Sequence, residues 1–550
     1  MANPWALLGK ERLNDIVGEQ RLSRLGQLLP AIQKVYDPLV INSNDGLAKI
    51  FNAFVGAEQM EKLTFRKEFF NCLPHATLSS LIRQVSPDHS TSSWETWVNE
   101  ISIAWTDPSK ARLIAAALEI PEDFLPETYY LPPLDQIIEA NPSPYLSLKD
   151  YQSAVFFEAL EQLRPNLARC MLQMPTGSGK TRVAIEILSH FINSSVANTQ
   201  VLWLVHSEEL CEQAYECFFE TWAHIGLKPI RLTRCWGDNA KLPFNPQECG
   251  FVIASFPRLA ALLKQNAVPF KELAKEVGLI VIDEAHRVIA PTFNAATMAL
   301  LGSNTRVLGL TATPGRSSHD TAGNEALAEL FFNNLVSIES GKEPVIAYLR
   351  SKGVLSRIEM IPLKTERNYQ LNARDIKYLT TNFDVPSELL ETLATDDLRN
   401  VEIIKRVQQE CALAAQIIFF GCSVEHSKFI CALLNFIGIK TAHVDGTTSK
   451  ARRQALVRDY KRSRLQVLCN FNLFSTGFDA PKTNVIFISR PTASIVLYSQ
   501  MLGRGTRGPA IGGTEQCKVI QVVDNITGFP GMISAYEHFE DYYSSQIGDL

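Results

Sequence analysis

The sequence predicts an α/β protein of two parallel-sheet lobes preceded by a mainly helical accessory domain, and three observations lead there. Short runs that are apolar throughout recur from about Leu148 onward: VLWLVH, FVIASF, LIVIDE, RVLGLTAT, QIIFFGCS, QVLCNF and VIFISR. Such runs suit strands buried on both faces of a parallel sheet. Helical segments alternate with them, as βαβ units require. A length of 550 residues, at roughly 150 residues per domain, also calls for more than one unit.

Residues 1–140 form the accessory domain. LNDIVGEQRLSRLGQLLPAIQ spaces its Leu, Ile and Val residues three and four apart, which is the helical period. The passage from Pro126 to Pro144, with LPPL and NPSP, resists regular structure and marks a boundary. The first lobe is expected over 141–338 and the second over 339–550, because the strand set divides near 335–345. No solenoid repeat or low-complexity tail is visible.

Composition narrows the class. Hydrophobic residues make up 46% and charged residues 20%, which suits packed cores and excludes wholesale disorder. The net charge of −5 does not advertise polyanion binding, but a polyanion needs only one basic track. Lys10, Glu11 and Arg12 interrupt the N-terminus before a signal peptide could form. No stretch approaches the ~18 apolar residues of a membrane span. The eleven cysteines include no CxxC pair, which predicts free thiols, no zinc site and a cytoplasmic protein without membrane contact.

The sharpest local pattern is CMLQMPTGSGKTRVAIEIL, an apolar run, a glycine loop and a helix in succession. Glycines let successive N–H groups turn toward one point, and a helix start adds its positive end. Thr176, Gly177, Ser178 and Gly179 would cradle phosphates, Lys180 would neutralise their charge, and the Thr181 hydroxyl would ligate Mg²⁺. Met174 stands where the general phosphate-loop pattern has glycine. Downstream, GLIVIDEAHRV carries Asp283 and Glu284 to the tip of a buried strand. Asp283 is the expected Mg²⁺ holder, and Glu284 the group that activates water. His286 completes a DEAH string. The implied cofactors are ATP and Mg²⁺.

With these residues in place, the chain from about Leu148 to Asn525 resembles superfamily 2 helicases, in the branch of XPB-like helicases and restriction-enzyme motors. LKDYQ resembles the adenine-recognition motif, with Gln152 as the reading residue. VLWLVHSEELCEQA and ASFPRL resemble the next two motifs, and LTATPGR a third that couples hydrolysis to nucleic acid through Thr311 and Thr313. QIIFFGCSVEHS follows, then LCNFNLFSTGFDAPKTNVIFI with Thr476, Gly477 and Asp479, and YSQMLGRGTRG with Gln500, Gly503, Arg504 and Arg507. The resemblance implies two RecA-like lobes that sandwich ATP. Gly477 and Asp479 would join the nucleotide site. Gln500, Arg504 and Arg507 would act on it from the second lobe.

Two arginines three apart would share one helix face and could reach γ-phosphate oxygens across a cleft; Arg507 is the candidate finger. In the resembling family, positions matching His206, Ser207, Ser255, Arg258, Ser423 and Thr476 meet the nucleic-acid backbone. Each has a plainer reading: Ser and Thr also cap helices, and Arg258 could pair with a surface acid. The basic run from Arg458 to Arg464 reads equally as a solvated helix end. Asp397, Glu402 and Lys405 lie in a helical stretch and do not make a nuclease.

The expected activity is nucleic-acid-dependent ATP hydrolysis driving translocation or unwinding, with DNA favoured over RNA by the resemblance, in bacterial repair, restriction or antiphage defence. An RNA remodeller and an ATP-switched recruitment protein are the alternatives. Residues 1–140 would engage a protein partner, such as a nuclease or defence component, or serve as a buttress against the first lobe.

Overall fold

The computed structural model describes residues 3–32, 43–56, 58–126, 133, 135–195, 198–237, 248–265, 268–312, 321–382, 385–471, 480–492 and 495–527. Fourteen strands among them form two sheets. The first holds β1 (Asp135–Ile138), β2 (Arg169–Gln173), β3 (Gln200–Val205), β4 (Ile230–Cys235), β5 (Gly250–Ser255), β6 (Val277–Asp283), β7 (Arg306–Thr311) and β8 (Leu335–Ser337). The second holds β9 (Arg357–Gln370), β10 (Ile417–Phe420), β11 (Thr441–His443), β12 (Val467–Asn470), β13 (Val485–Ile488) and β14 (Gln516–Thr527). The spatial orders are β1-β4-β5-β3-β6-β7-β2-β8 and β11-β12-β10-β13-β14-β9. Every pairing is parallel except β1 on β4.

All seven apolar runs are strands, and alternation explains why they are apolar throughout. In β3, Val201, Trp203 and Val205 enter one core, while Leu202 and Leu204 enter the core on the opposite face. In β10, Ile417 and Phe419 face one way, Ile418 and Phe420 the other. Each sheet is therefore a central layer between helices, and polar side chains enter these strands only near their ends, as at Ser255, Asp283, Thr311 and Asn470.

The boundaries shift from the expected ones. β1, placed on the accessory side of residue 140, pairs with β4 at the edge of the first sheet. Its short DQII run is too brief to signal a strand by composition. Past 338, the helix Val345–Ser351 still packs on the first lobe, with Ile346, Leu349, Val354 and Leu355 in its core. The second sheet begins at β9.

The N-terminal residues are helical as expected, with Gly18 (φ +87°) separating the helices Lys10–Val17 and Glu19–Ile32. Among the described residues their core is continuous with that of the second lobe rather than the first. Trp5, Leu25, Leu28, Phe51 and Phe69 share one continuous core with Ile403, Val407, Ile430 and Leu434. The seam is also polar. Arg24 Nε lies 2.7 Å from Asp397 Oδ1, and its guanidinium sits 3.9 Å over the Phe429 ring. Phe54 meets the same ring at 6.0 Å. Asp397 thus belongs to this seam, on the helix Asp397–Ala412. That helix is only half solvated, because Arg399 is fully buried and forms a two-point ion pair with Asp524 at 2.8 and 2.9 Å. A charge pair out of water holds only when both partners remain.

The shared core makes a test. A chain beginning at Pro133, which keeps β1, should aggregate or unfold about 10 °C or more below the full chain, since it exposes a large apolar face of the second lobe. Differential scanning fluorimetry decides it. An unchanged unfolding temperature would show that residues 1–132 are a detachable module.

Candidate active site

Parallel strands end along one sheet edge, and the site grows from that edge. β2, β7 and β6 are neighbours, with Gln173 opposite Thr311 and Leu310 opposite Asp283. Directly beyond β2, the Met174 N–H donates to the Thr311 carbonyl at 3.1 Å. Thr311 is fully buried, so its main chain ties the phosphate loop to the strand carrying the expected coupling motif.

The loop 174–179 leads into the helix Lys180–Ser194. Gly177 and Gly179 adopt φ values of +90° and +87°, a region that favours glycine. Gly179 needs its missing Cβ for a second reason: that atom would stand 2.3 Å from Gln152 Nε2. Gln152 is buried and braces the loop. Its Nε2 donates to the Ser178 carbonyl at 3.0 Å, and its Oε1 accepts the Lys149 N–H at 3.0 Å. An amide nitrogen carries two protons and an amide oxygen two lone pairs, so each end retains capacity for an adenine edge. Tyr151 OH donates to the same Ser178 carbonyl at 2.7 Å. Tyr151 was not among the expected site residues, and its place beside Gln152 in LKDYQ was the available clue. Thr176 lies within the loop and Thr181 in the first turn of the helix, and Ser178 Oγ donates to the Pro175 carbonyl at 2.7 Å.

Asp283 ends β6 and is buried. Burial, then the adjacent Glu284 charge, pushes its carboxyl above the usual range, while Lys180 opposes the rise. Glu284 sits in left-handed backbone at φ +51°, an uncommon place for a non-glycine residue. Burial pushes its carboxyl up too, but Lys180, then His286, His206 and Arg287, outweigh that and hold it below the usual range. Neighbouring acids are thus driven apart by one lysine and a group of cationic or polar neighbours. His286 Nδ1 is 3.4 Å from Glu284 Oε2.

The donor set fits a Mg–nucleotide. It combines a cradle that a Cβ would fill, a helix N-terminus with Lys180 and Thr181, and a buried carboxylate at the tip of β6, with β7 between it and β2.

The second lobe supplies Arg507 directly. Its Nη1 lies 2.6 Å from where a Gly177 Cβ would be, so Gly177 leaves room for an arginine from across the cleft. The helix-face expectation for the two arginines is corrected. The helix Ile495–Leu502 ends before both, and Arg507 pairs its main chain with Leu355 in an antiparallel bridge. Gly505 explains part of this, because a Cβ there would press on Cys517 Sγ at 2.4 Å. Gln500 and Arg504 are buried. Thr313, Thr476, Gly477 and Asp479 lie outside the described residues.

His206, Ser255 and Arg258 line one open cleft of about 300 Å³, with Glu208 and Pro257. Burial, then Arg287, pushes His206 down to about 4, so the ring there is neutral near pH 7. Ser207 and Ser423 have the plainer role open to them: each accepts a main-chain N–H and caps a helix, on Leu210 at 3.4 Å and His426 at 3.1 Å. Among the described residues no group of three or more potential metal ligands of the His, Cys, Asp and Glu types occurs, and all eleven cysteines are unpaired. No described helix is long and apolar enough to cross a membrane.

Two parallel-sheet lobes, with a phosphate loop on one and an arginine of the other set against its glycine, define the class of two-lobed P-loop proteins. Comparison with known proteins narrows the class. The family described as the res subunit of type III restriction enzymes matches residues 145–316, and the helicase conserved C-terminal domain matches residues 400–508. A 51.5 kDa protein of a Lactococcus phage is 28% identical over 68% of this chain and 69% of its own length. Irc3 of Saccharomyces cerevisiae, named among the ATP-dependent helicases, is 25% identical over 66% of this chain but only 49% of its own length, so the chain spans about half of that relative. The DNA-bound type ISP restriction-modification enzyme LlaBIII aligns at 18% identity and a TM-score of 0.47, covering 70% of this chain and 28% of that one. The two matched domains place the chain among the superfamily 2 helicases, its first lobe being similar to the res subunit of type III restriction enzymes.

Gly177→Ala should lower turnover about a hundredfold, by much more than it lowers nucleotide affinity, because the methyl occupies the place Arg507 approaches as well as straining the loop at φ +90°. Titration with a fluorescent ADP analogue beside steady-state turnover checks it; equal losses in both would mean that the loop itself had collapsed.

A second test concerns His426, buried beneath the Ser423 loop. Its Nδ1 accepts the Cys422 N–H at 3.0 Å and its Nε2 donates to Asn400 Oδ1 at 2.9 Å, which fixes the neutral ring. Burial, then Arg399 and Arg24, holds its pKa well below the usual value. A folded value below the unfolded one gives stability that is complete above about pH 6.5 and falls by about 1.4 kcal/mol per unit below it. His206 adds to that slope. The unfolding temperature should fall between pH 7 and pH 5, and less steeply in His426→Asn; identical slopes would clear His426 of the effect.

Proposed function

We propose that the chain is a nucleic-acid-dependent ATPase of the DEAH type that translocates on or unwinds DNA. The observation that carries this reading is Arg507 of the second lobe lying against Gly177 of the phosphate loop. An ATP γ-phosphate held by Lys180, with Mg²⁺ held by Thr181 and Asp283, would meet that arginine. Mg²⁺ supplies charge neutralisation between the phosphates. Glu284, held as the anion, orients the attacking water and takes its proton. Arg507, with Arg504 and Gln500 behind it, stabilises the charge that spreads over the transferring phosphoryl oxygens. Gly477 and Asp479 complete the second-lobe side, and Gln152 reads the adenine edge.

Arginine and phosphate belong to different lobes, so ATP favours closure and hydrolysis favours opening. The cleft of His206, Ser255 and Arg258 lies on the first lobe, and Ser423 and Thr476 would add contacts to the strand from the second. A strand gripped differently in the two states is moved. His286, Thr311 and Thr313 transmit the change, and the Met174–Thr311 bond supports that role. Restriction-enzyme kinship supports DNA over RNA, and with the phage relative it supports a setting in bacterial repair, restriction or defence. The accessory helices would present a surface to a protein partner.

Glu284→Gln should bind Mg-ATP with near-normal affinity yet turn over at least about a hundredfold more slowly, and hold nucleic acid as tightly as the parent or tighter in ATP. Turnover of the parent chain with single-stranded DNA, duplex DNA and RNA separates the substrates. Stimulation by RNA alone would replace this reading with an RNA remodeller. Weak turnover on all three, with tight ATP-dependent binding of a partner, would replace it with a switch.

A further inference from the structure

We infer that the connector between the lobes, residues 353–356, is part of the catalytic apparatus: zipped main chain to main chain onto the Arg507 segment, it sets where the arginine meets the phosphate loop, with Ser356 as the positioning residue. This rests on the reading of Arg507 given above and adds what holds it.

The connector leaves the first lobe after the helix Val345–Ser351, with Val354 and Leu355 still in that lobe's core. After one further residue, Ser356, the chain enters β9 of the second lobe at Arg357. Over this short span it pairs with the motif YSQMLGRGTRG and the residues beyond it. The Ser356 N–H donates to the Thr506 carbonyl at 3.0 Å, the Gly508 N–H to the Val354 carbonyl at 2.8 Å, and the Ala510 N–H to the Gly353 carbonyl at 2.9 Å. Leu355 and Arg507 form the bridge between these bonds.

Ser356 locks the far side. It is 1% exposed, and its Oγ lies 2.6 Å from both the Arg507 and the Thr514 carbonyls. One hydroxyl proton serves one acceptor at a time. The Thr514 N–H also donates to the Arg507 carbonyl, at 2.8 Å, so that carbonyl stays held either way.

The close approach requires glycine for space rather than for backbone angle. Gly508 has an ordinary φ of −83°, yet a Cβ on it would stand 2.2 Å from the Gly353 carbonyl oxygen. A Cβ on Gly513 would stand 1.9 Å from the Arg507 oxygen. The bridge as a whole abuts the phosphate loop: Leu355 Cδ2 and Thr506 Oγ1 lie 3.2 and 3.4 Å from the Gly177 Cβ position. The arginine is therefore registered to the first lobe through four connector residues as well as through the second lobe's own sheet. A displacement of the connector displaces the finger, and misplacement of about an ångström can cost about a hundredfold in rate.

Steady-state ATP turnover of the full chain tests this with Ser356→Ala, Gly508→Ala, Arg507→Ala and the Ser356→Ala/Arg507→Ala pair. Ser351→Ala is the control, an exposed serine whose hydroxyl donates to the Tyr348 carbonyl at 2.8 Å. Ser356→Ala should lower kcat about tenfold, with the KM for ATP within about twofold and Tm within about 3 °C. Gly508→Ala should lower kcat further, and Ser351→Ala should leave it unchanged. The paired variant should be no slower than Arg507→Ala alone, since Ser356 acts through the arginine. Losses that multiply in the pair, or full kcat in Ser356→Ala, overturn the proposal even if Gly508→Ala is insoluble. Full kcat in Arg507→Ala overturns the arginine's own role, a result distinguishable from failure of the connector alone.

Discussion

The main-chain pairing of β6, β7 and β2 is the constraint from which the rest of the site follows. Parallel strands finish at one edge, so residues far apart in sequence arrive together without any side chain having to reach. Asp283 ends β6, Thr311 ends β7, and Met174 leaves β2 bonded to Thr311. Moving any strand by one residue would exchange inward and outward side chains along its whole length. In β3 that would expose a Trp or Leu from one core and bury it in the other. The two hydrophobic layers on either side of each sheet therefore hold the chemistry in register as well as stabilising the fold.

How much was legible in the sequence depends on how locally each feature is encoded. The phosphate loop and the acid pair were legible because their chemistry fixes residue types within a few positions. The seven main strands were legible because burial on both faces leaves no polar gap. β1 was not, since four residues at a sheet edge carry no pattern of their own. The docking of the N-terminal helices on the second lobe was not, because Arg24 meets Asp397 and Phe429 across more than half of the chain. Helical periodicity marks which face is apolar and is silent about what covers it. The arginine pair misled for a similar reason: spacing of three fits a helix, but crowding at Gly505 and pairing of residue 507 with residue 355 decide otherwise.

The acid pair shows how one lysine sorts two carboxylates. Asp283 is buried and Glu284 half-buried, and the Glu284 charge raises the cost of ionising Asp283. Lys180 acts on both, but Glu284 also feels His286, His206 and Arg287. Charge is therefore held where water would be activated and resisted where a cation would neutralise it. His206 lies both among those neighbours and in the first-lobe cleft, so the electrostatic surroundings of Glu284 extend to a surface open to solvent.

The core shared by the accessory helices and the second lobe has a mechanical consequence. Among the described residues, helices fused to one lobe through Phe51, Phe69, Ile403 and Leu434 leave no hinge at that seam. If the lobes separate and approach as proposed, the helices would swing with the second lobe as cargo bolted to it, while the first lobe, which holds the phosphate loop, would stay behind. Anything gripped by these helices would be carried through the whole angle of the stroke, with an arm as long as the accessory domain itself.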